Sequence, residues 1–491
     1  MLVAGYVAIR FRNLTDPCLW FDEIFSVHAA TQPWDSFLSF VALDLIHPPL
    51  FYILLKFWIG LGGESLYWLR LFPVVVSVIA LFPFVEICRE LKLSIRTRLL
   101  ALFLFAVNGS LIKYAQEVRM YSLLLCVSLF SICLFARYFG KGKNLPILVV
   151  VNILLVYTHY FGWFVVLSEV AAIAIFQRVK LRRILAMPAI ALVAFLPWIF
   201  AVWQASQNGS GLAQNIGWMA RPGPKALVQL VLNLIEPFYY QASSAEPISI
   251  FRVSMPVLIL FCVAVFLLIA AWDRQAERET LKLLSIFIIV PLAVVFGVSW
   301  LLPYSFWGAR HLIIIFAPVS IVLAIIGGQI SVWAIRAAVL TLIVLFTGLA
   351  FQLATERESP KYEWCAWNKA ATEFAASRAA SESIYAFEEL SAYHLWFALR
   401  NTENAKVRLV KDTGVSEDPA YFLPRGFDAI DRIQLGDITE TTFWIAFRSK
   451  DWDERHIPLA LFRERGYRFD PPKLLFESTN SKAYIVRAER P

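Results

Sequence analysis

The chain has 491 residues, 59% of them hydrophobic and only 17% charged, a balance that excludes an ordinary water-soluble enzyme. Its net charge of +8 comes from the first 354 residues, which hold 25 Lys/Arg and 15 Asp/Glu (+10), whereas the stretch from Thr355 holds 20 and 22 (−2). The excess reports membrane topology and contact with anionic lipids rather than nucleic-acid binding, and the C-terminal stretch reads as a water-soluble domain.

In chain order, Met1 to Ile9 offers a short apolar run before Arg10 and Arg12, about half of the ~20 residues a span requires. The first span is therefore expected to be incomplete. The run has no basic start and no small-residue cleavage site, so it does not read as a signal peptide. Further spans are expected at 66–88, 99–116, 121–139, 145–158, 160–177, 184–203, 251–272, 283–302, 312–333 and 337–354, about eleven in all with the first. Residues 48–63, with their aromatics and Lys56, read as a helix lying along the interface. Two long outer loops, 10–63 and 204–250, are expected between spans, and loops of that length are often functional.

The turns between spans sort by residue type. Arg89 to Arg98, Lys141 to Lys143 and Arg178 to Arg183 are basic and by the positive-inside tendency face the cytoplasm. Asp22-Glu23, His47, Glu117, Arg119, His159 and Arg310-His311 then gather on the opposite, outer face. From Pro360 the pattern changes to short strands at 383–387, 406–411, 443–447, 474–477 and 483–487, with helices at 362–377, 391–400 and 453–466, the pattern of a small α/β domain. The expected architecture is a mainly α polytopic membrane domain, 1–354, followed by a soluble outer-face α/β domain, 355–491.

Several residues are chemically capable. Asp22 and Glu23 follow Leu19-Trp20-Phe21, and one of them can take a proton from an attacking hydroxyl; equally, they can be loop acids, or Asp22 an N-cap for a helix at 23–30. His47, before Pro48-Pro49, can meet a phosphate or a metal, or simply be solvated. Tyr114, Glu117 and Tyr121 share a face if their helix continues, with Arg119 pointing elsewhere unless the segment turns; a structural Glu117–Arg119 pair is the plainer alternative. Arg310, ahead of His311, can hold a phosphate as a planar fork of donors or merely snorkel to head groups. Tyr157-Thr158-His159-Tyr160 is a weaker polar break of the same kind. The six cysteines have no paired spacing; Cys18 and Cys365 both fall outside, but no local signal joins them. There is no P-loop, no GxGxxG and no zinc-type cluster. An enzyme on that face must draw its activated substrate from the lipid phase.

Five pieces, Leu19 to Ser26, His47 to Tyr52, Tyr114 to Tyr121, Tyr157 to Gly162 and Arg310 to Leu312, resemble the multi-span GT-C glycosyltransferases that use polyprenyl-phosphate sugars, a group including protein O-mannosyltransferases and the aminoarabinose transferase of lipid A. The resemblance implies that Asp22 activates an acceptor hydroxyl with Glu23 as partner, and that Arg119 and Arg310 neutralise the lipid phosphate. It implies an inverting transfer, and a substrate-binding set of His47, Glu117, Arg119, Tyr121, His159, Arg310 and His311. His47 stands where the lipid A branch carries a lysine; that branch's preceding glutamate is Ile46 here, so no cofactor is implied, although Asp44 and the outer histidines leave a divalent metal open. His311 stands where many relatives have tyrosine. The implied partners are a polyprenyl-phosphate-linked sugar donor, a lipid, polysaccharide or protein acceptor and membrane lipids, with no nucleic acid. The implied location is the plasma (inner) membrane, with the site on the periplasmic or extracellular side. A secondary transporter or a non-catalytic carrier-binding protein are the alternatives; a transporter would place its ionisable residues near the midplane, usually with repeats.

Overall fold

The computed structural model describes residues 1–207, 219–238, 278–328, 330, 332–355, 362–377, 382–411, 430–455, 457–477 and 481–491. The chain forms two compact units. One comprises Met1–Leu14 with the described residues of Ala29–Tyr240 and Pro247–Glu358; the other comprises Thr15–His28 with the described residues of Ser359–Pro491.

The first unit is helical. Its helices begin with α1 (Leu2–Phe11), resume after the Thr15–His28 segment, whose helix α2 runs Phe21–Thr31, and continue with α3 (Trp34–Leu43), α4 (Leu50–Gly62), α5 (Leu66–Ile79), α6 (Leu81–Glu90), α7 (Ile95–Val107) and α8 (Gly109–Ala115). They are followed by α9 (Tyr121–Lys141), α10 (Leu145–Thr158), α11 (Gly162–Phe176) and α12 (Leu181–Ser206). Among the described residues six helical stretches are long and apolar enough to cross a membrane: Leu66–Glu90, Tyr121–Lys141, Arg178–Ser206, Arg278–Leu301, His311–Gly328 and Trp333–Thr355. The expected span 251–272 lies outside the described residues.

Local chemistry sets the boundaries. Ser65 and Ser94 cap α5 and α7 by accepting from the backbone N–H of Trp68 and Thr97. The expected helix 99–116 is divided, because Asn108 leaves helical geometry and its side chain caps α8 at Leu111 while donating to the carbonyls of Asn233 and Leu234. The loop expected at 10–63 contains α2, α3 and α4. Of these, α4 is 13 residues long, roughly 20 Å and too short to cross. It folds onto α5 through Trp58 and Trp68, whose rings stack at 4.4 Å while each indole N–H donates to the other's carbonyl.

The central helix is α9, which packs against α5, α6, α8, α10 and α11. Buried polar groups tie it to its neighbours: Ser131 on α9 lies 2.6 Å from both Asn152 on α10 and Glu169 on α11. Its C-terminal end carries the basic turn. There Arg137 and Lys141 pair with Glu86 and Glu90 of α6. Its other end, at Tyr121, lies roughly 30 Å away along 21 residues, about the thickness of a bilayer core.

The second unit is α/β. Seven strands, β1 (Ser383–Ala386), β2 (Lys406–Lys411), β3 (Asp431–Gln434), β4 (Thr442–Ser449), β5 (Arg468–Phe469), β6 (Lys473–Glu477) and β7 (Lys482–Glu489), form one sheet ordered β3-β2-β1-β4-β7-β5, with β6 also on β7. The first four strands run parallel and β7 antiparallel to β4. The core is Tyr385, Phe443, Ile445, Phe462 and Tyr467, and Tyr385 donates to Glu440, which also holds Arg408. The expected strands are present, joined by the short β3 and β5.

The Thr15–His28 segment belongs to this unit. Cys18 is disulfide-bonded to Cys365, 347 residues away. Phe21 packs on Tyr393 at 5.1 Å and His28 meets Trp396 edge-on at 5.0 Å, both on the helix Glu389–Leu399. Burial, aided by the Arg400 cation, pushes the His28 imidazole down from 6.5 to about 4. The unfolded segment thus takes up its proton first, so this packing is at full strength above about pH 6.5 and weakens as pH falls towards 4. Amide exchange of α2, corrected for its intrinsic pH dependence, should be faster at pH 5 than at pH 7.5 in the parent; equal protection at both would contradict the assignment.

Candidate functional site

Seven of the singled-out residues, His47, Glu117, Arg119, Tyr121, His159, Arg310 and His311, converge in the first unit, at the end of α9 opposite the basic turn. The chain reaches His47 through a reversal after α3, where Leu45 takes a left-handed φ of 62°. Its carbonyl accepts from the Tyr160 hydroxyl at 3.3 Å. His47 Nδ1 lies 2.6 Å from Asp44, and its Nε2 lies 3.1 Å from Arg119 Nη2. Because a guanidinium can only donate, Nε2 accepts and the ring proton sits on Nδ1, donated to Asp44. Arg119 also donates to the Tyr52 hydroxyl of α4, at 3.5 Å.

Helix α8 ends at Ala115 and α9 starts at Tyr121, so the intervening turn aims Arg119 inward beside Glu117; its amide closes on the Glu117 carbonyl at 2.7 Å. Tyr114 and Tyr121 pack at 5.0 Å across that turn. His159 lies in the break between α10 and α11, 5.7 Å from the His47 ring and 5.3 Å from His311. Its Nδ1 accepts from the Phe161 amide, leaving its proton on Nε2. Burial first, with the Arg119 and Arg310 cations adding to it, holds its pKa well below the usual histidine range, so it is neutral at physiological pH.

Phe161 packs on both His159 and His311, at 5.2 and 5.1 Å, and Tyr121 reaches His311 at 6.3 Å. Arg310 stands at the start of the short turn His311–Ile315 and acts electrostatically on both His159 and His311. The buried His311 Nδ1 has no hydrogen-bond partner among the described residues. The cluster therefore joins two arginines and three histidines to Asp44 and Glu117, with His47, Arg119 and His159 each no more than 5% exposed. Its two guanidiniums, beside neutral imidazoles that can donate, suit an oxyanion such as phosphate. It does not suit a divalent cation at His47, because Asp44 and Arg119 occupy both ring nitrogens; among the described residues no group of His, Cys, Asp or Glu is arranged to hold a metal.

Asp22 and Glu23 belong to the second unit. Trp20 caps α2, and Glu23 accepts its backbone N–H at 3.2 Å, so the fully buried Glu23 serves the helix terminus. The capping carboxylate is thus Glu23, not Asp22. The Asp22 side chain is half-buried in the first turn of α2.

Tyr52, Phe161 and Gly308 were not singled out from the sequence for this cluster. Gly308 carried no signal, because its importance is purely steric. A Cβ there would meet His311 Nδ1 at 2.9 Å. Gly308→Ala should destabilise the protein by about 1–3 kcal/mol through overpacking, seen as a lower melting temperature, and Gly308→Ala/His311→Ala should recover most of it. An unchanged single variant would contradict the tight packing.

No protein-family model and no curated protein sequence matches the chain. Among solved structures it is similar to ArnT from Cupriavidus metallidurans bound to undecaprenyl phosphate, with a TM-score of 0.62 and 10% identity over 99% of this chain and 97% of that one. The fold is that of ArnT. The apo form of the same protein gives a TM-score of 0.61 with the same coverage and identity. A weaker likeness, at a TM-score of 0.49 and 12% identity, covers 99% of this chain and 73% of the Archaeoglobus fulgidus oligosaccharyltransferase in complex with zinc and sulfate. The chain thus has an ArnT-like GT-C fold, mainly helical with many apolar helices and with a C-terminal sheet-containing unit, as expected from its sequence.

Proposed function

We propose that the chain is an inverting glycosyltransferase that moves a sugar from a polyprenyl-phosphate carrier to an acceptor at the outer face of the membrane. The observation that carries this reading is the convergence of Arg119, His159 and Arg310 within a chain that has the ArnT fold along 99% of its length. The similar ArnT structure holds undecaprenyl phosphate, a ligand of the class such a cluster would recognise.

Asp22 takes the proton of the acceptor hydroxyl, whose oxygen attacks the anomeric carbon. The bond from that carbon to the phosphate oxygen breaks in the same displacement, so configuration inverts. The electron pair leaves with the polyprenyl phosphate. Arg119 and Arg310 stabilise the released charge, with neutral His159 as a further donor, which is where a good leaving group needs help most. Glu23 keeps the Asp22 turn in place.

The disulfide supports the outer assignment, since such bonds persist in oxidising compartments. It lies in the unit that bears Asp22, and the basic turns lie at the far end of α9 from Arg119. Incubating membranes that contain the protein with a panel of labelled polyprenyl-phosphate sugars tests the reading. Turnover of one donor names the sugar and the reaction together. If no donor is either bound or consumed, the proposal fails.

A further inference from the structure

The segment that carries Asp22 is attached to the C-terminal sheet unit at three points. Upstream, Cys18 is covalently bonded to Cys365, and the Cys18 amide also approaches its Sγ at 3.2 Å. Beside Asp22, Phe21 packs on Tyr393. Downstream, His28 meets Trp396. The two aromatic contacts are individually weak, whereas the disulfide fixes the entry of α2 permanently. Cys365 opens the helix Cys365–Ser377, whose Trp367 and Phe374 are fully buried, so the bond ends on a rigid element.

We infer that Cys18, Cys365, Tyr393 and Trp396 are positioning residues for Asp22, and that the protein is competent for transfer only when the Cys18–Cys365 bond is closed. The inference rests on the function proposed above. Closing the bond takes two protons and two electrons from the two thiols by thiol–disulfide exchange, and a disulfide donor is reduced to its dithiol as it does so. A dithiol-oxidising reaction on the same face must therefore act on this chain before it transfers sugar. Cys88, Cys126 and Cys133 are free thiols, so among the described residues Cys18–Cys365 is the bond a reductant can open.

The test compares the full-length parent in lipid nanodiscs, oxidised and after mild reduction with dithiothreitol, with Cys18→Ser and Cys365→Ser. Three quantities are read: kcat for transfer, affinity for undecaprenyl phosphate, and amide exchange across Asp22–Thr31. Misplacement of a reacting group by an ångström costs roughly 10²-fold in rate. The expected result is a fall in kcat of that order, affinity within about twofold of the oxidised parent, and faster exchange in α2. Reoxidation should restore the reduced parent and leave Cys18→Ser unchanged. Full kcat in the reduced parent would overturn the inference, and that arm stands even if the serine variants do not fold. A parent inactive with every donor would overturn the proposed function instead; exchange in α2 then decides the positioning role, and protection unchanged on reduction would sink it.

Discussion

Asp22→Asn should lower sugar transfer by about 10²–10⁴-fold, the range lost with a general base, while carrier affinity stays within a few-fold of the parent. The expectation follows from a division of labour between adjacent carboxylates. Glu23 is fully buried and holds the Trp20 amide, so it is occupied in ending the helix. Asp22 is half-buried in the same first turn, and its backbone carbonyl, not its carboxylate, is what Ser26 bonds. The asparagine keeps shape and polarity but cannot take a proton. Glu23→Gln serves as the control, because its amide oxygen can still accept from Trp20. It should lose far less activity, and any loss should come with lower stability. An Asp22→Asn protein that transfers at the parent's rate would remove Asp22 from the chemistry.

Arg310→Ala should show the reverse pattern, with carrier affinity down by about 10- to 100-fold, the worth of a charged hydrogen bond at 1.5–3 kcal/mol. Arg310 acts on His159 and His311 together with Arg119, so its loss halves the fixed positive charge of a buried pocket. Arg310→Lys should recover part of the affinity, because an ammonium restores the charge without the planar fork. Binding of undecaprenyl phosphate to purified protein measures the effect. Equal affinity in Arg310→Ala and the parent would refute the phosphate assignment.

Much of the architecture was legible because membranes and sheets impose strong periodic patterns. Spans such as Tyr121–Lys141 and strands such as Lys406–Lys411 and Ser383–Ala386 announce themselves by unbroken or alternating hydrophobicity. The residues His47, Arg119, His159 and His311 could be singled out as polar groups at span ends, but their mutual geometry could not, since it depends on four separate helix boundaries. The break at Asn108 hid inside an apolar run, where a capping side chain that also bonds Asn233 leaves no local mark. The Cys18–Cys365 bond was illegible for the same reason: partners 347 residues apart have no spacing to read. The capping role fell to Glu23 rather than Asp22 because α2 starts two residues earlier than its polar pattern suggests, at Phe21.

The most direct measurement is single-turnover release of polyprenyl phosphate from a labelled polyprenyl-phosphate sugar, in the presence of an acceptor extract, by the parent and Asp22→Asn side by side. The account predicts that both proteins bind the donor, that the parent converts it to free polyprenyl phosphate and glycosylated acceptor, and that Asp22→Asn retains it unreacted. Donor that binds neither protein, or that both consume at the same rate, would contradict the account.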